Sequence, residues 1–148
     1  APGETGKPQS MPAMAWLATL ENRYPGDWIA FSAAGDLSAC EVKDAALFSS
    51  VAENLLQNIA DKRRGNPAIR SAVRLHETAG KVWLEVSDDG AAVPAEQAEK
   101  LFGQRVASEN GLGIGLFQSA RQAEQSGYRL DLTENRTGCV SFRLAPAD

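Results

Sequence analysis

Cysteine is nearly absent. Cys40 and Cys139 are the only two, they stand in no metal-ligand spacing, and a disulfide scaffold or a zinc ribbon is therefore excluded. Such sparing use fits a reducing compartment, and the expected location is cytoplasmic. Basic excess is missing as well. With 15 Lys and Arg against 19 Asp and Glu the formal net charge is −4, so no general positive field exists to grip nucleic acid, and any anion must be held locally. Long apolar runs are also lacking: the longest, "AMAWLATL", falls far short of the ~20 residues that span a bilayer, and no signal-peptide pattern occurs. No GxxxxGK[ST] loop is present, nor the strand lysine, HRD and DFG set of eukaryotic-type protein kinases.

What is present suffices for one domain. Hydrophobic residues make up 43% of the 148 and charged residues 23%, enough to bury a core beneath a solvated surface. The opening "APGETGKPQS" is Gly-, Pro- and polar-rich, so residues 1–12 read as a poorly ordered linker or remnant and 13–148 as the domain. The chain is accordingly expected to be part of something larger. "MAWLATLENRY" predicts a short helix ended by Pro25-Gly26. "DWIAFSAAGDLSACEV" predicts two strands joined around Ala34-Gly35-Asp36. "DAALFSSVAENLLQNIADKRRG" predicts a long helix, with Asp44 as N-cap, Phe48, Val51, Ala52, Leu55 and Ile59 on one stripe, and Gly65 as its stop. Period-two alternation on both sides of "TAGK" predicts a hairpin. "PAEQAEKLF" predicts a short helix begun by Pro94, and "YRLDLTENRTGCVSFRL" a final hairpin. Between these two lies "ENGLGIGLFQSARQAEQSG", a glycine-rich loop opening a helix that Gly127 closes. Antiparallel strand pairs interleaved with about three helices predict an α+β fold: two layers, helices on one face of a mixed, largely antiparallel sheet.

Three segments carry candidate chemistry. In "ENLLQN", Asn54 and Asn58 lie one helical turn and about 40° apart, at the edge of the apolar stripe, so two carboxamides project from one flank. An amide oxygen is a hard neutral ligand suited to Mg2+ that keeps waters and phosphate partners. Glu53 points about 140° away from Asn58. In "SDDGAAVP" a strand end delivers a carboxylate into a glycine turn, where it can accept a hydrogen bond from an exocyclic amine. In "GLGIGL" the spacing is GxGxG and no strand precedes it, which excludes the dinucleotide-binding fingerprint. Its backbone N–H groups at a helix start still offer an anion site. Each segment alone has an ordinary alternative: exposed helix polars, an Asp-Asp-Gly turn, a glycine turn.

Taken in order, "ENLLQNIADK", "VSDDGAAVP", "LFGQ", "GLGIGL" and "RTGCVSFRLAP" resemble the catalytic ATP-binding domain of bacterial sensor histidine kinases, within the superfamily shared with gyrase, heat-shock chaperone ATPases and MutL. The resemblance runs from about residue 13 to the end and implies that superfamily's Bergerat-type ATP-binding fold, with ATP and Mg2+ as cofactors. It implies that Asn58 holds Mg2+ and that Asn54 faces the γ-phosphate side, where it orients the attacking imidazole. It assigns the adenine amino group to Asp88, with Gly90, Ala92 and Val93 beside it. It assigns phosphate contacts to Gly111, Leu112, Gly113, Ile114, Gly115 and Leu116, places Phe102 at the start of a lid spanning residues 103 to 110, and sets Cys139 near the adenine carboxylate. The chain departs from the family pattern at three points. Ala92 stands where a second glycine is usual, Asp61 stands where a lysine is usual with Lys62 following it, and the lid lacks its Thr-Thr-Lys run. Lys62 and Arg105 are the expected phosphate-side cations in their place.

The phosphate-accepting histidine is missing. His76, in "RLHETAG", is the only histidine, and its period-two setting predicts an ordinary strand residue in the wrong order for an acceptor. The resemblance therefore implies a protein-histidine kinase catalytic domain that passes the γ-phosphate to a dimerisation and phosphoacceptor domain lying N-terminally in the parent, and indirectly serves a response regulator. Any sensor or membrane segment would lie there too, and the isolated domain is expected to be monomeric. Three alternatives stay open: a degenerate ATP-binding or interaction module without kinase output, an anti-sigma-type serine kinase, and a gyrase-branch ATPase. The last is disfavoured because Asn54 stands where that branch places its glutamate base. The Lys62, Arg63 and Arg64 cluster also suits a helix C-terminus through its dipole, and Trp16, Trp28 and Trp83 read as packing anchors.

Overall fold

A computed structural model describes residues 9–100 and 112–147. In chain order the elements are β1 (Met11–Pro12), α1 (Ala13–Arg23), β2 (Ile29–Ala34), β3 (Glu41–Val42), α2 (Ala45–Gly65), β4 (Ser71–Thr78), β5 (Lys81–Asp88), α3 (Ala95–Lys100), α4 (Leu112–Gln125), β6 (Tyr128–Arg136) and β7 (Cys139–Pro146). Five strands form one sheet in the order β2-β4-β5-β7-β6, while β1 and β3 pair separately. The β2–β4 pair is parallel and the other three pairs of the large sheet are antiparallel, as the sequence predicts for a mixed, mostly antiparallel sheet. A parallel pair needs a crossover, and α2 lies in that connection.

Two expectations are corrected. The residues read as a hairpin around Gly35 do not pair with each other. β2 joins β4 instead, and β3 pairs antiparallel with β1, Met11 opposite Val42. A strand pattern specifies that a strand forms, not its partner, and here the parallel neighbour supplied by the crossover wins. Met11 and Pro12, read as the end of a linker, thus belong to the fold, and Gln9 O accepts from Ala45 N at 2.9 Å.

The long helix begins and ends where its residues require. Asp44 caps it by accepting from Leu47 N at 3.1 Å, and the Asn66 N–H closes it onto Lys62 O. Its buried stripe includes Leu47, Phe48, Val51, Ala52, Leu55, Leu56 and Ile59. That stripe packs against the face of the sheet carrying Val73, Leu75, Leu84, Val86 and Leu144, each at most 1% exposed. Alternation along β4 and β5 puts Arg74, His76, Trp83 and Glu85 on the opposite face. There the His76 and Trp83 rings stack at 3.9 Å and His76 Nε2 lies 3.0 Å from Glu85 Oε1, so His76 is the strand residue expected. The β4–β5 turn uses Ala79 and Gly80, both at positive φ, as a two-residue hairpin with the twist of its strands demands.

α2 and α4 run antiparallel, tied by Ser50 Oγ donating to Gln122 Oε1 at 3.3 Å and Asn54 Nδ2 donating to Ser119 Oγ at 2.6 Å. Asn58 lies one turn beyond Asn54 on α2, toward the N-terminal end of the antiparallel α4. No helix among the described residues is long and apolar enough to cross a membrane.

Candidate functional site

Between the C-terminal half of α2 and the sheet lies a cleft of about 330 Å3, its open mouth included, lined by Leu55, Asn58, Ile59, Lys62, Val86, Asp88, Val93, Val140 and Phe142. Six of the nine are apolar. Its lining, mostly apolar with a few convergent polar groups, is that of a small-molecule pocket.

Asp88 is the last residue of β5 and follows Val86 on the helix-facing side, so the strand's own alternation aims its carboxylate into the cleft. Its side chain is only 4% exposed. The adjoining Asp89 turns the other way. Arg70 N donates to Asp89 Oδ1 at 2.8 Å, and Asp89 N donates to Arg70 O, so this carboxylate closes the end of the β4–β5 pair. One Asp-Asp dipeptide thus supplies one site carboxylate and one structural one. Gly90 N donates back to Asp88 Oδ1 at 2.8 Å and fixes the carboxylate's rotation.

Glycine at 90 is required by space. A Cβ there would lie 2.8 Å from Ile69 Cδ1 and 3.0 Å from Asp88 Oδ1. Gly90→Ala is therefore expected to cost about 1 to 3 kcal/mol in a denaturant melt through overpacking, and a loss below about 0.5 kcal/mol, the range of neutral surface changes, would show that the turn relaxes freely.

Residues 91–94 are held against the β6–β7 hairpin by a side chain that sequence reasoning did not single out. Asn135 Oδ1 accepts from Val93 N at 2.8 Å while its Nδ2 donates to Val93 O at 2.9 Å, a paired grip that positions Val93 in the cleft wall. Gly138 N adds a bond to Gly90 O at 2.9 Å. An asparagine near a hairpin turn looks like a turn residue, so only the tertiary contact identifies it. Ala92 N donates to Thr137 Oγ1 at 3.4 Å, and Ala92 is not among the cleft-lining residues.

On α2, Asn58 reaches the cleft as its wheel position predicts. It is partly exposed, and its carboxamide has no hydrogen-bond partner among the described residues. Glu53 points away and pairs with Arg23 of α1. Asn54, expected to face a γ-phosphate, donates one amide N–H to Ser119 and so ties α2 to α4. It lies outside the cleft lining.

Lys62, expected as a phosphate-side cation, has its Nζ donating to Asp88 Oδ1 at 3.0 Å, to Asp88 Oδ2 at 3.1 Å and to Ala91 O at 3.1 Å, at the carboxylate end of the cleft. The buried carboxylate attracts the nearest cation on the helix. Arg63 has the bland role: it donates to Ile69 O and Pro67 O and lies over the Trp28 ring at 4.8 Å.

Two more expectations shift by strand and helix phase. Val140, directly opposite Asp88 in the β5–β7 register, lines the cleft, whereas its neighbour Cys139 does not, because adjacent strand residues face opposite sides. Leu116 is fully buried in the core and does not line the cleft. Leu112, Gly113, Ile114 and Gly115 form the first turn of α4. Phe102, Arg105 and Gly111 lie outside the described residues.

Residues 43–147 match the family described as histidine kinase-, DNA gyrase B- and HSP90-like ATPases. The chain belongs to this family. That span begins one residue before the Asp44 cap of α2 and includes every cleft-lining residue. Among curated proteins the chain is similar to the sensor protein kinase PilS of Pseudomonas aeruginosa, 28% identical with 93% of this chain and 28% of PilS covered. It is also similar to the sensory histidine kinase/phosphatase NtrB of Rhodobacter capsulatus, 32% identical over 69% of this chain and 32% of NtrB. The chain thus spans less than a third of each of these relatives. Among solved structures, the nucleotide-free catalytic domain of histidine kinase ThkA superposes with a TM-score of 0.74 at 20% identity, covering 93% of each chain. The histidine kinase domain of the E. coli osmosensor EnvZ gives 0.67 at 21% identity, over 95% of this chain and 89% of that one. The fold is that of histidine-kinase catalytic domains, as the sequence motifs imply.

Proposed function

We propose that this domain binds Mg-ATP in the α2–β5 cleft and donates the γ-phosphate to a histidine on a separate dimerisation and phosphoacceptor domain, the chemistry of a two-component sensor kinase. The observation carrying this reading is a carboxylate fixed in rotation at one end of an apolar cleft, with a carboxamide that has no partner among the described residues also lining it. These groups fit the parts of one nucleotide. Asp88 suits an exocyclic amine, while Leu55, Ile59, Val93, Val140 and Phe142 offer an apolar enclosure to the base. Asn58 would hold Mg2+ through its amide oxygen, and Mg2+ when bound would neutralise phosphate oxygens. The first-turn N–H groups of α4 would receive phosphate.

The remaining residues favour transfer over hydrolysis. Glu53 is paired with Arg23, Asn54 with Ser119, and Asp61 with Gln57 and Arg64, so among the described residues of α2 near Asn58 no unpaired carboxylate is offered to activate water. Phosphoryl transfer asks the protein mainly for positioning and charge neutralisation, and the nucleophile would come from the partner domain's histidine. His76, stacked on Trp83 and paired with Glu85 on the opposite sheet face, is not placed to act as the acceptor.

The test is calorimetry with Mg-ATP followed by phosphotransfer to a separately supplied phosphoacceptor domain. Asn58→Ala is expected to weaken Mg-ATP by about tenfold or more, the value of one lost charge-assisted contact, and to leave adenosine binding unchanged. The transferred phosphate is expected to be acid-labile. No binding at millimolar nucleotide would favour an interaction module, and an acid-stable product would favour a serine kinase.

A further inference from the structure

We infer that Lys62 sets the nucleotide affinity of this site by competing with the base: its ammonium holds the Asp88 carboxylate, and a base must contend with it for that group. The inference rests on the ATP-binding reading above and concerns how that pocket is kept and opened.

The geometry is that of a satisfied cation. An ammonium has three N–H groups, and the three oxygens on Lys62 Nζ are Asp88 Oδ1 at 3.0 Å, Asp88 Oδ2 at 3.1 Å and Ala91 O at 3.1 Å. Both carboxylate oxygens are therefore engaged, and Oδ1 also accepts from Gly90 N. Oδ1 is thereby filled, and an incoming exocyclic amine has to share Oδ2 with the ammonium. It offers a neutral N–H where a full positive charge now sits, and the charge-assisted bond is the stronger of the two.

Exposure decides which partner moves. The Asp88 side chain is 4% exposed and held by its strand and by Gly90, whereas the Lys62 side chain is 24% exposed on the last turns of α2. Lys62 can rotate toward water with no backbone change, while Asp88 cannot. Leaving with no replacement would strand a buried carboxylate, so Lys62 stays until a donor arrives. The neighbouring charges do not compete for it: Asp61 accepts from Gln57 and pairs with Arg64, and Arg63 is bound to the carbonyls of residues 67 and 69.

Adenosine is the deciding probe, because it carries no phosphate and so separates the base end of the site from any phosphate role of Lys62. Titrated calorimetrically into the chain, it is expected to bind about tenfold more tightly to Lys62→Met and Lys62→Gln, the size of a lost competing charged hydrogen bond. Lys62→Arg, which keeps the cation, is expected to show no gain. Cooperative thermal melts of all three variants establish that each is folded. Unchanged or weaker adenosine binding in Lys62→Gln overturns the inference, as does a gain confined to Lys62→Met, which would be apolar stacking. Weaker Mg-ATP binding with adenosine unchanged would return Lys62 to the phosphates and overturn it while the ATP-binding reading stands. If the wild type binds no nucleotide but the neutral variants do, both readings hold, with the pocket closed by Lys62. If neither wild type nor variants bind, the ATP-binding reading itself falls and takes the inference with it.

Discussion

Asp88→Asn is expected to weaken adenosine and Mg-ATP binding on the order of 100-fold, about 3 kcal/mol, the upper range for a charged hydrogen bond lost from a buried site. The substitution preserves shape, and the surrounding bonds dictate its outcome. Gly90 N donates to Asp88 Oδ1 at 2.8 Å, so an asparagine keeps its oxygen there and places its NH2 where Oδ2 now accepts from Lys62. The cleft then presents a donor to a base amine that is itself a donor, beside a lysine that has lost its counter-charge. Both effects oppose the base. Calorimetry measures the loss, and a change of less than about threefold would mean that Asp88 does not read the base, since even a neutral hydrogen bond is worth about that much. Because Asp88 is a strand residue with its backbone in the ladder, the melt should remain cooperative.

Phe48→Ala is expected to remove about 3 to 5 kcal/mol of folding stability, the range for truncating a buried phenylalanine. Phe48 is fully buried at the joint of three elements. Its ring meets Trp16 of α1 edge-on at 5.7 Å and Tyr128 of β6 edge-on at 5.5 Å. Such pairs add to area burial, and no neighbouring side chain can fill the space of a ring held on two sides. Against a total of about 5 to 15 kcal/mol for a domain, that loss threatens folding at growth temperature. Burial, with a smaller contribution from the Asp44 charge, also holds the Tyr128 phenol above its ordinary pKa, so the ring beside Phe48 stays neutral. The check is a denaturant midpoint shift at unchanged slope. A loss under 1 kcal/mol would mean that α1 and β6 close over the gap. Since Asn58 lies nearly three turns along α2 from Phe48, about 15 Å, and Lys62 lies further still, nucleotide affinity per folded molecule should hold.

The sequence by itself determined the class of fold and the local chemistry, because both depend on periodicities that neighbouring residues impose. The 3.6-residue stripe of α2 places Asn58 at the cleft whatever packs against it. The period-two run of β5 likewise places Asp88 on the same face as Val86, and five motifs in order point to the ATPase family. Partners and contacts were decided only in three dimensions. Nothing near Ile29 reveals that β2 pairs in parallel with β4, since strand pairing is a long-range choice set by the crossover. Cys139 and Val140 are equally close to Asp88 along the chain, and only the β5–β7 register distinguishes the one that lines the cleft. Asn54 and Lys62 were legible as polar residues on the right flank of α2, yet each found a protein partner: Ser119 across the helix pair, Asp88 and Ala91 across the cleft. A buried polar group must be satisfied by whatever the fold brings within 3 Å, and that assignment belongs to tertiary structure.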